Sequence, residues 1–148
     1  MLKGISPLIS PDLLKVLAEL GHCDTIVLAD ANFPGKTIAA RAGIPYLRLD
    51  GQEMVPLLEA ILTLFPLDTL VPHPVQLMEK SPQDAAMVLP IVDAYKSVVA
   101  EWDDRKEDAI GYLDRQEFYA AAGMSGCVVQ TGETALYANL ILTKGVVV

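Results

Sequence analysis

After a single threonine, the stretch TIVLA at residues 25–29 carries only apolar side chains, with the polar GHCD before it and DANFP after it. A run this short and uniformly apolar suits a strand covered on both faces, as in sheets flanked by helices on either side. A helix start stands just upstream. Ser10 supplies a capping hydroxyl, Pro11 a ring pre-set for the first turn, and Asp12 a carboxylate near the positive end. Leu13, Leu17 and Leu20 then form one apolar face, so the spacing predicts a helix from Pro11 to Leu20 with Gly21 as a left-handed stop.

The same alternation continues along the chain. ANFPGKT reads as a loop, IPYLRLD as a second short strand, and Gln52 to Phe65 as a helix that tolerates Pro56 only in its first turn. A brief strand is expected around Asp68 to Val71, followed by an irregular proline-rich stretch, VPHPVQLMEKSPQD, with Ser81 and Pro82 as another helix start. Residues 90–102 form a clear helix, AIGYL a strand, and Asp114 with Glu117 a capping box opening a helix that Gly123 closes. GCVVQTG, ANLILT and GVVV close the chain as strands, the last of them inside the sheet. The expectation is an α/β chain, one layered domain over residues 1–148, with a mixed sheet flanked by helices. The sheet is mixed because the closing strands lie too near one another for parallel crossovers throughout.

With 148 residues, 52 % of them hydrophobic, the chain has ample material for one core. Its net charge of −8 includes no basic block, so neither nucleic acid nor an anionic membrane surface is an expected partner. No apolar run approaches the roughly 20 residues that span a bilayer, and MLKGISPLISPDLL reads as turns before a helix rather than a signal peptide. A cytoplasmic protein with two reduced thiols, Cys23 and Cys127, is the simplest reading. Ligands for a metal are scarce. His22, Cys23 and Asp24 are consecutive, and neighbours seldom converge on one ion, so no metal is expected. Dinucleotide, Walker and serine-hydrolase motifs are absent.

Few residues remain that can do chemistry. His22 follows the helix-ending glycine and Asp30 ends the first strand, which places both in loops at the sheet rim, where ligands gather in open α/β sheets. An imidazole exchanges protons near neutral pH and a carboxylate accepts hydrogen bonds from hydroxyls. Either residue serves equally as a helix-end or turn residue. Asp68 alone reads as a turn residue and Tyr119 as a core aromatic. Tyr137 and Asn139, two apart, would share one face of an extended backbone, either as a hydrogen-bonding surface for a polyol or as partners for sheet-edge groups. Arg115 beside Asp114 reads as an exposed ion pair in preference to a substrate contact, and His73 between two prolines as a surface loop residue.

SPLISPDLLKVLAELGHCDTIVLADANFP, LLEAILTLFPLDT, DRQEFY and TGETALYANLILTKGV together resemble the fucose mutarotase branch of the family that also contains the ribose pyranase proteins. The resemblance spans nearly the whole chain in the family's order, with G-H-x-D and T-G-E-x-x-x-Y-x-N its most specific parts, and is thin between Val71 and Lys106. It implies a mutarotase that interconverts α and β anomers of a free monosaccharide, with no cofactor and no metal. His22 corresponds to the family's proton donor and Tyr119 to a second catalytic group. Asp30, Asp68, Tyr137 and Asn139 correspond to sugar-binding residues, and Arg115 matches a pocket arginine. Assembly into a decameric ring, with sites near subunit contacts, is implied as well. Two departures stand out: Cys23 replaces a glycine, and AAAGMSG follows Tyr119 where a basic, more helical stretch is usual.

Opening a pyranose requires a proton for the ring oxygen and removal of one from the anomeric hydroxyl, which calls for an acid and a base on either side of that pair. His22 and Tyr119 suit these roles, with L-fucose or a similar 6-deoxyhexose as substrate. A pyranase acting on ribose is the near alternative. A noncatalytic sugar-binding ring protein is the alternative from another class, and the presence of both His22 and Tyr119 speaks against it.

Overall fold

The computed structural model describes residues 2–148. One six-stranded sheet organises them. In chain order the elements are α1 (Pro11–Glu19), β1 (Thr25–Ala29), α2 (Gly35–Ala42), β2 (Tyr46–Leu49), α3 (Met54–Leu62), β3 (Val75–Met78), α4 (Pro90–Trp102), β4 (Ile110–Leu113), α5 (Arg115–Ala122), β5 (Cys127–Thr131) and β6 (Leu140–Thr143). The strand order is β2-β5-β1-β6-β3-β4, and β6 alone runs antiparallel to its neighbours, β1 and β3. The sheet is mixed, as the short closing connections require. Only eight residues separate β5 from β6, fewer than the dozen or so that a parallel crossover needs, so the chain passes over the end of β1 and turns back.

Side-chain alternation along β1 divides the core. Ile26 and Leu28 face α1, α3 and α4 in the larger apolar cluster, whereas Val27 and Ala29 face α2 and α5 in the smaller one. The uniform apolarity of TIVLA thus reflects burial from both sides, and residues 26–29 are fully buried. The Ser10 cap and the Asp114/Glu117 capping box form as the sequence predicts. Pro56 falls in the first turn of α3, the one place it is tolerated.

Four expectations are overturned. ANFPGKT is not all loop: α2 begins at Gly35, whose missing side chain matters because a Cβ there would lie 2.6 Å from Gln130 Oε1 and 2.9 Å from Val128 Cγ1. Read as a breaker, Gly35 is instead what lets α2 press against β5. The strand expected near Asp68 to Val71 reduces to an isolated bridge between Leu67 and Lys144, and the strand forms later, at Val75–Met78, within the stretch read as irregular. Pro72 and Pro74 end just before it and leave its N–H groups free for the ladder. The terminal GVVV forms no strand, and Val146, Val147 and Val148 are exposed. The left-handed residue after α1 is Cys23 (φ 68°) rather than Gly21, and the helix ends at Glu19. No helix among the described residues is long and apolar enough to cross a membrane.

Candidate active site

Beyond the carboxyl ends of the parallel strands lies an open cavity of about 230 Å³, lined by Asp30, Phe33, Asp84, Arg115, Tyr119, Tyr137 and Asn139 among others. Its size falls below the roughly 300–1,000 Å³ of pockets for drug-sized ligands and suits one small polar molecule. Each element delivers one part. Asp30 follows β1, Arg115 and Tyr119 lie on α5, and Tyr137 and Asn139 stand on the segment that crosses over β1 before entering β6.

Asp30 and Asn139 form the floor, only 5 % and 4 % exposed. The Asp30 N–H donates to Asn139 Oδ1 at 2.8 Å, and Asn139 Nδ2 donates back to Asp30 Oδ2 at 2.7 Å. Asp30 Oδ1 accepts from the Asn32 N–H at 2.9 Å. Burial pushes the Asp30 carboxyl above its ordinary range, while hydrogen bonds from Asn32 and Asn139 oppose the rise. Gln130 Nε2 donates to the Asp30 carbonyl, and Thr131 Oγ1 donates to the Ala29 carbonyl at 2.9 Å. Two polar side chains of β5 therefore fasten the end of β1. Behind them the buried Tyr95 of α4 donates to the Ala138 carbonyl at 2.8 Å and fixes the backbone beside Asn139.

The wall is aromatic. Tyr119 meets Phe33 edge to face at a centroid distance of 5.4 Å, and Phe33 meets Phe118 in the same way at 5.8 Å. Tyr137 is not on extended backbone, as its two-residue spacing from Asn139 suggested; it is left-handed (φ 58°), and the two residues share the cavity because the crossing segment turns there. Its hydroxyl donates to Asp84 Oδ2 at 2.5 Å and accepts from the Ser81 N–H at 3.2 Å. The Tyr137 bond, followed by one from Ser81, holds the Asp84 carboxyl below its usual range. Arg115 is not tied to Asp114, whose carboxylate caps α5; it lines the cavity near Asp84.

His22 and Asp68 do not join this group. They lie at the opposite rim, because His22 precedes β1 while Asp30 follows it, and the expectation that both sit at the carboxyl end is wrong for His22. Five residues of strand at about 3.3 Å each separate the rims by roughly 16 Å before the flanking residues are counted. At the amino rim His22 Nε2 lies 3.3 Å from Asp68 Oδ2, with the imidazole exposed and Asp68 only 1 % exposed. The Leu70 N–H donates to Asp68 Oδ1 at 2.8 Å, and that bond, ahead of the His22 contribution, keeps the Asp68 carboxyl low. Arg105 braces the segment, donating to the Asp68 carbonyl at 2.9 Å and the Val71 carbonyl at 2.6 Å while its guanidinium pairs with Asp103. His73 is an exposed loop residue, as read, with Nδ1 2.9 Å from the Asp108 carbonyl.

Asp84, Gln130, Thr131 and Tyr95 are not singled out in the sequence, and Ser81 reads there only as a helix start. The polar pair Gln130-Thr131 closing the apolar run CVV was a usable signal, whereas nothing local marks Asp84 as a partner of Tyr137.

The sequence profile of the RbsD / FucU transport protein family matches residues 3–147. A fucose mutarotase of Mus musculus is 47 % identical over 146 residues, covering 97 % of this chain and 94 % of its own. Among solved structures, FucU from Bifidobacterium longum is similar with a TM-score of 0.94 and 50 % identity, over 99 % of this chain and all of that one. The fucose mutarotase of Streptococcus pneumoniae in complex with L-fucose follows with a TM-score of 0.90 and 44 % identity, over 99 % and 100 % of the two chains.

Proposed function

The chain belongs to the RbsD / FucU transport protein family, and on that premise we propose that it is a sugar mutarotase, a cofactor-independent isomerase that interconverts the α and β anomers of L-fucose. The observation that carries this reading is the close likeness in fold and sequence to a fucose mutarotase solved with L-fucose. The cavity chemistry supports it, since acceptors on Asp30 and Asp84, the Arg115 guanidinium, two phenols and the Asn139 amide together match a ring bearing several hydroxyls.

In the reaction, an acid gives its proton to the ring oxygen as the C1–O5 bond breaks, while a base takes the proton of the anomeric hydroxyl to leave a carbonyl at C1. Rotation about C1–C2 and closure on the other face then give the opposite anomer, with the proton movements reversed. His22 is the donor and Tyr119 its counterpart. Asp30, Asp68, Arg115, Tyr137 and Asn139 hold the hydroxyls and fix the ring between them. Because His22 and Tyr119 occupy opposite rims of one sheet, a complete site takes His22 and Asp68 from one subunit and the cavity from the next. A closed ring of subunits, proposed as a decamer in the cytoplasm, meets that need by presenting one rim to the other at each contact.

The test is exchange proton NMR on equilibrated L-fucose, D-ribose and D-galactose with the wild type and with His22→Ala. Line broadening between fucose anomers is expected with the wild type and not with the variant. No broadening with any sugar, or equal broadening with His22→Ala, rejects the assignment. Gel filtration giving a monomer rejects the shared site.

A further inference from the structure

At the amino rim the structure gathers more than an acid and its partner. His22 Nε2, Cys23 Sγ and a carboxylate oxygen of Asp68 all lie within 4.8 Å of one another. Nε2 is 3.3 Å and Sγ 3.7 Å from the same atom, Asp68 Oδ2. Consecutive side chains on an extended backbone point to opposite sides. Here the left-handed backbone of Cys23 lets both neighbours reach one carboxylate, which answers the sequence objection that adjacent residues seldom converge. Asp24, the third donor considered from the sequence, is engaged elsewhere: its Oδ2 accepts the Gly21 N–H at 2.6 Å.

The spacing fits a small thiophilic cation. Zinc is bound at about 2.0–2.2 Å by nitrogen and oxygen and about 2.3 Å by sulfur, so neighbouring donors in a tetrahedral shell stand roughly 3.3–3.7 Å apart. Both contacts to Asp68 fall in that interval. The His22–Cys23 edge is at most 4.8 Å, and both of those side chains are exposed in the single chain. Asp68 is buried and fixed through its other oxygen and its carbonyl, which leaves Oδ2 as an anchored ligand. Three protein donors with solvent in the fourth position is the arrangement of an open zinc site.

We infer that His22, Cys23 and Asp68 form a binding site for Zn2+ that inhibits the enzyme by occupying His22 Nε2. On binding, the ion takes Sγ as thiolate, whose proton passes to solvent, and fills the nitrogen lone pair through which His22 exchanges its proton. A thiolate and an imidazole among the donors favour Zn2+ over Mg2+ or Ca2+. The inhibitory consequence rests on the proposed mutarotase activity; the binding itself does not.

The test therefore has two readouts on the assembled full chain. Co2+ titration should give a thiolate-to-cobalt charge-transfer band saturating at one ion per chain, displaced by Zn2+ and unaffected by Mg2+, and absent in Cys23→Gly. Glycine suits the left-handed backbone, so this variant should fold and keep its basal exchange rate. In NMR exchange, saturating Zn2+ should slow the wild type about a hundredfold, the scale of removing one general acid, with recovery on chelation, and should leave Cys23→Gly active. Absence of the band, its survival in Cys23→Gly, or equal zinc inhibition of both proteins overturns the inference. If neither protein exchanges anomers but the band behaves as described, the metal site stands and the mutarotase reading falls.

Discussion

Removing the Asn139 side chain should cost far more stability than its size suggests. In Asn139→Ala the buried Asp30 N–H loses its acceptor and the buried Asp30 carboxylate loses a donor at 2.7 Å. A hydrogen bond to a charged group contributes about 1.5–3 kcal/mol, and an orphaned buried N–H costs about 1–3 kcal/mol. Together they predict a loss of roughly 3–5 kcal/mol, within the roughly 5–15 kcal/mol that holds a domain folded. Denaturant unfolding at fixed protomer concentration measures it, because an oligomer's stability varies with concentration. Asn139→Asp adds a pH signature by setting a second carboxylate against Asp30. The Asp30 carboxyl is already raised by burial, and a like charge raises it further. A carboxyl raised in the folded state holds its proton more tightly there than in the unfolded chain. Its contribution is thus complete below the unfolded value of about 3.9 and lost as pH climbs through the folded one. Asn139→Asp should accordingly be more destabilised at pH 7 than at pH ~4. A loss below about 1 kcal/mol for Asn139→Ala, or a pH-independent penalty for Asn139→Asp, would refute the assignment of this pair as the cavity's structural floor.

Gly132→Ala should lose about 3 kcal/mol, the upper end of overpacking penalties, because the new Cβ would fall 1.9 Å from the Asp50 carbonyl oxygen, a backbone atom that no rotamer change relieves. Gly51→Ala, which meets nothing within 4 Å, is the control, and thermal melts compare them. Asp103 carries the opposite pH signature from Asp30: hydrogen bonds from the Arg105 side chain lead in holding its carboxyl low, so its contribution is present above the unfolded pKa and lost as pH falls through the folded one. Asp103→Asn should flatten the acid side of the stability profile, and an unchanged acid limb in denaturant titrations from pH 7 to 3 would reject this. Finally, His22→Ala and Tyr119→Phe, each inactive alone, should recover about a quarter of the wild-type sites when unfolded together in equal amounts and reassembled, since random pairing across a shared contact unites two intact halves that often. No recovery in NMR exchange would place both groups in one subunit's site.

Local signals in the sequence were dependable where one side chain acts on its own backbone. The Ser10 cap, the Asp114/Glu117 box and the first-turn position of Pro56 all depend on contacts a few residues apart, and all three appear. Signals failed where a distant neighbour decides. Gly35 reads as a breaker until β5 lies against it, and VQLM reads as irregular until β6 and β4 pair on either side. The site divides in the same way. The place of Asp30 after an apolar strand puts it at the carboxyl rim, but by itself leaves a turn residue equally open. Asp84, 53 residues from the Tyr137 hydroxyl it accepts, and Asp68, 45 residues from the Cys23 thiol, gain their roles only through the fold.

What joins the two rims is β6. Four residues long and antiparallel to β1, it has Asn139 immediately before one end and Lys144 immediately after the other. Asn139 clasps Asp30, while the Lys144 carbonyl accepts the Cys23 N–H at 2.9 Å and the Thr143 carbonyl accepts the Asp68 N–H at 3.1 Å. Each rim is therefore attached to one end of the same buried strand pair, whose side chains between Ile26 and Leu28 and between Leu140 and Leu142 are at most 3 % exposed. A core this closely packed transmits displacement rather than absorbing it. The two rims are held apart by the length of that strand pair. The site proposed above, which needs both groups, is therefore drawn where one copy's amino rim meets another's carboxyl rim. Under the proposed function, the same rigidity that separates the two groups within a subunit sets their spacing between subunits.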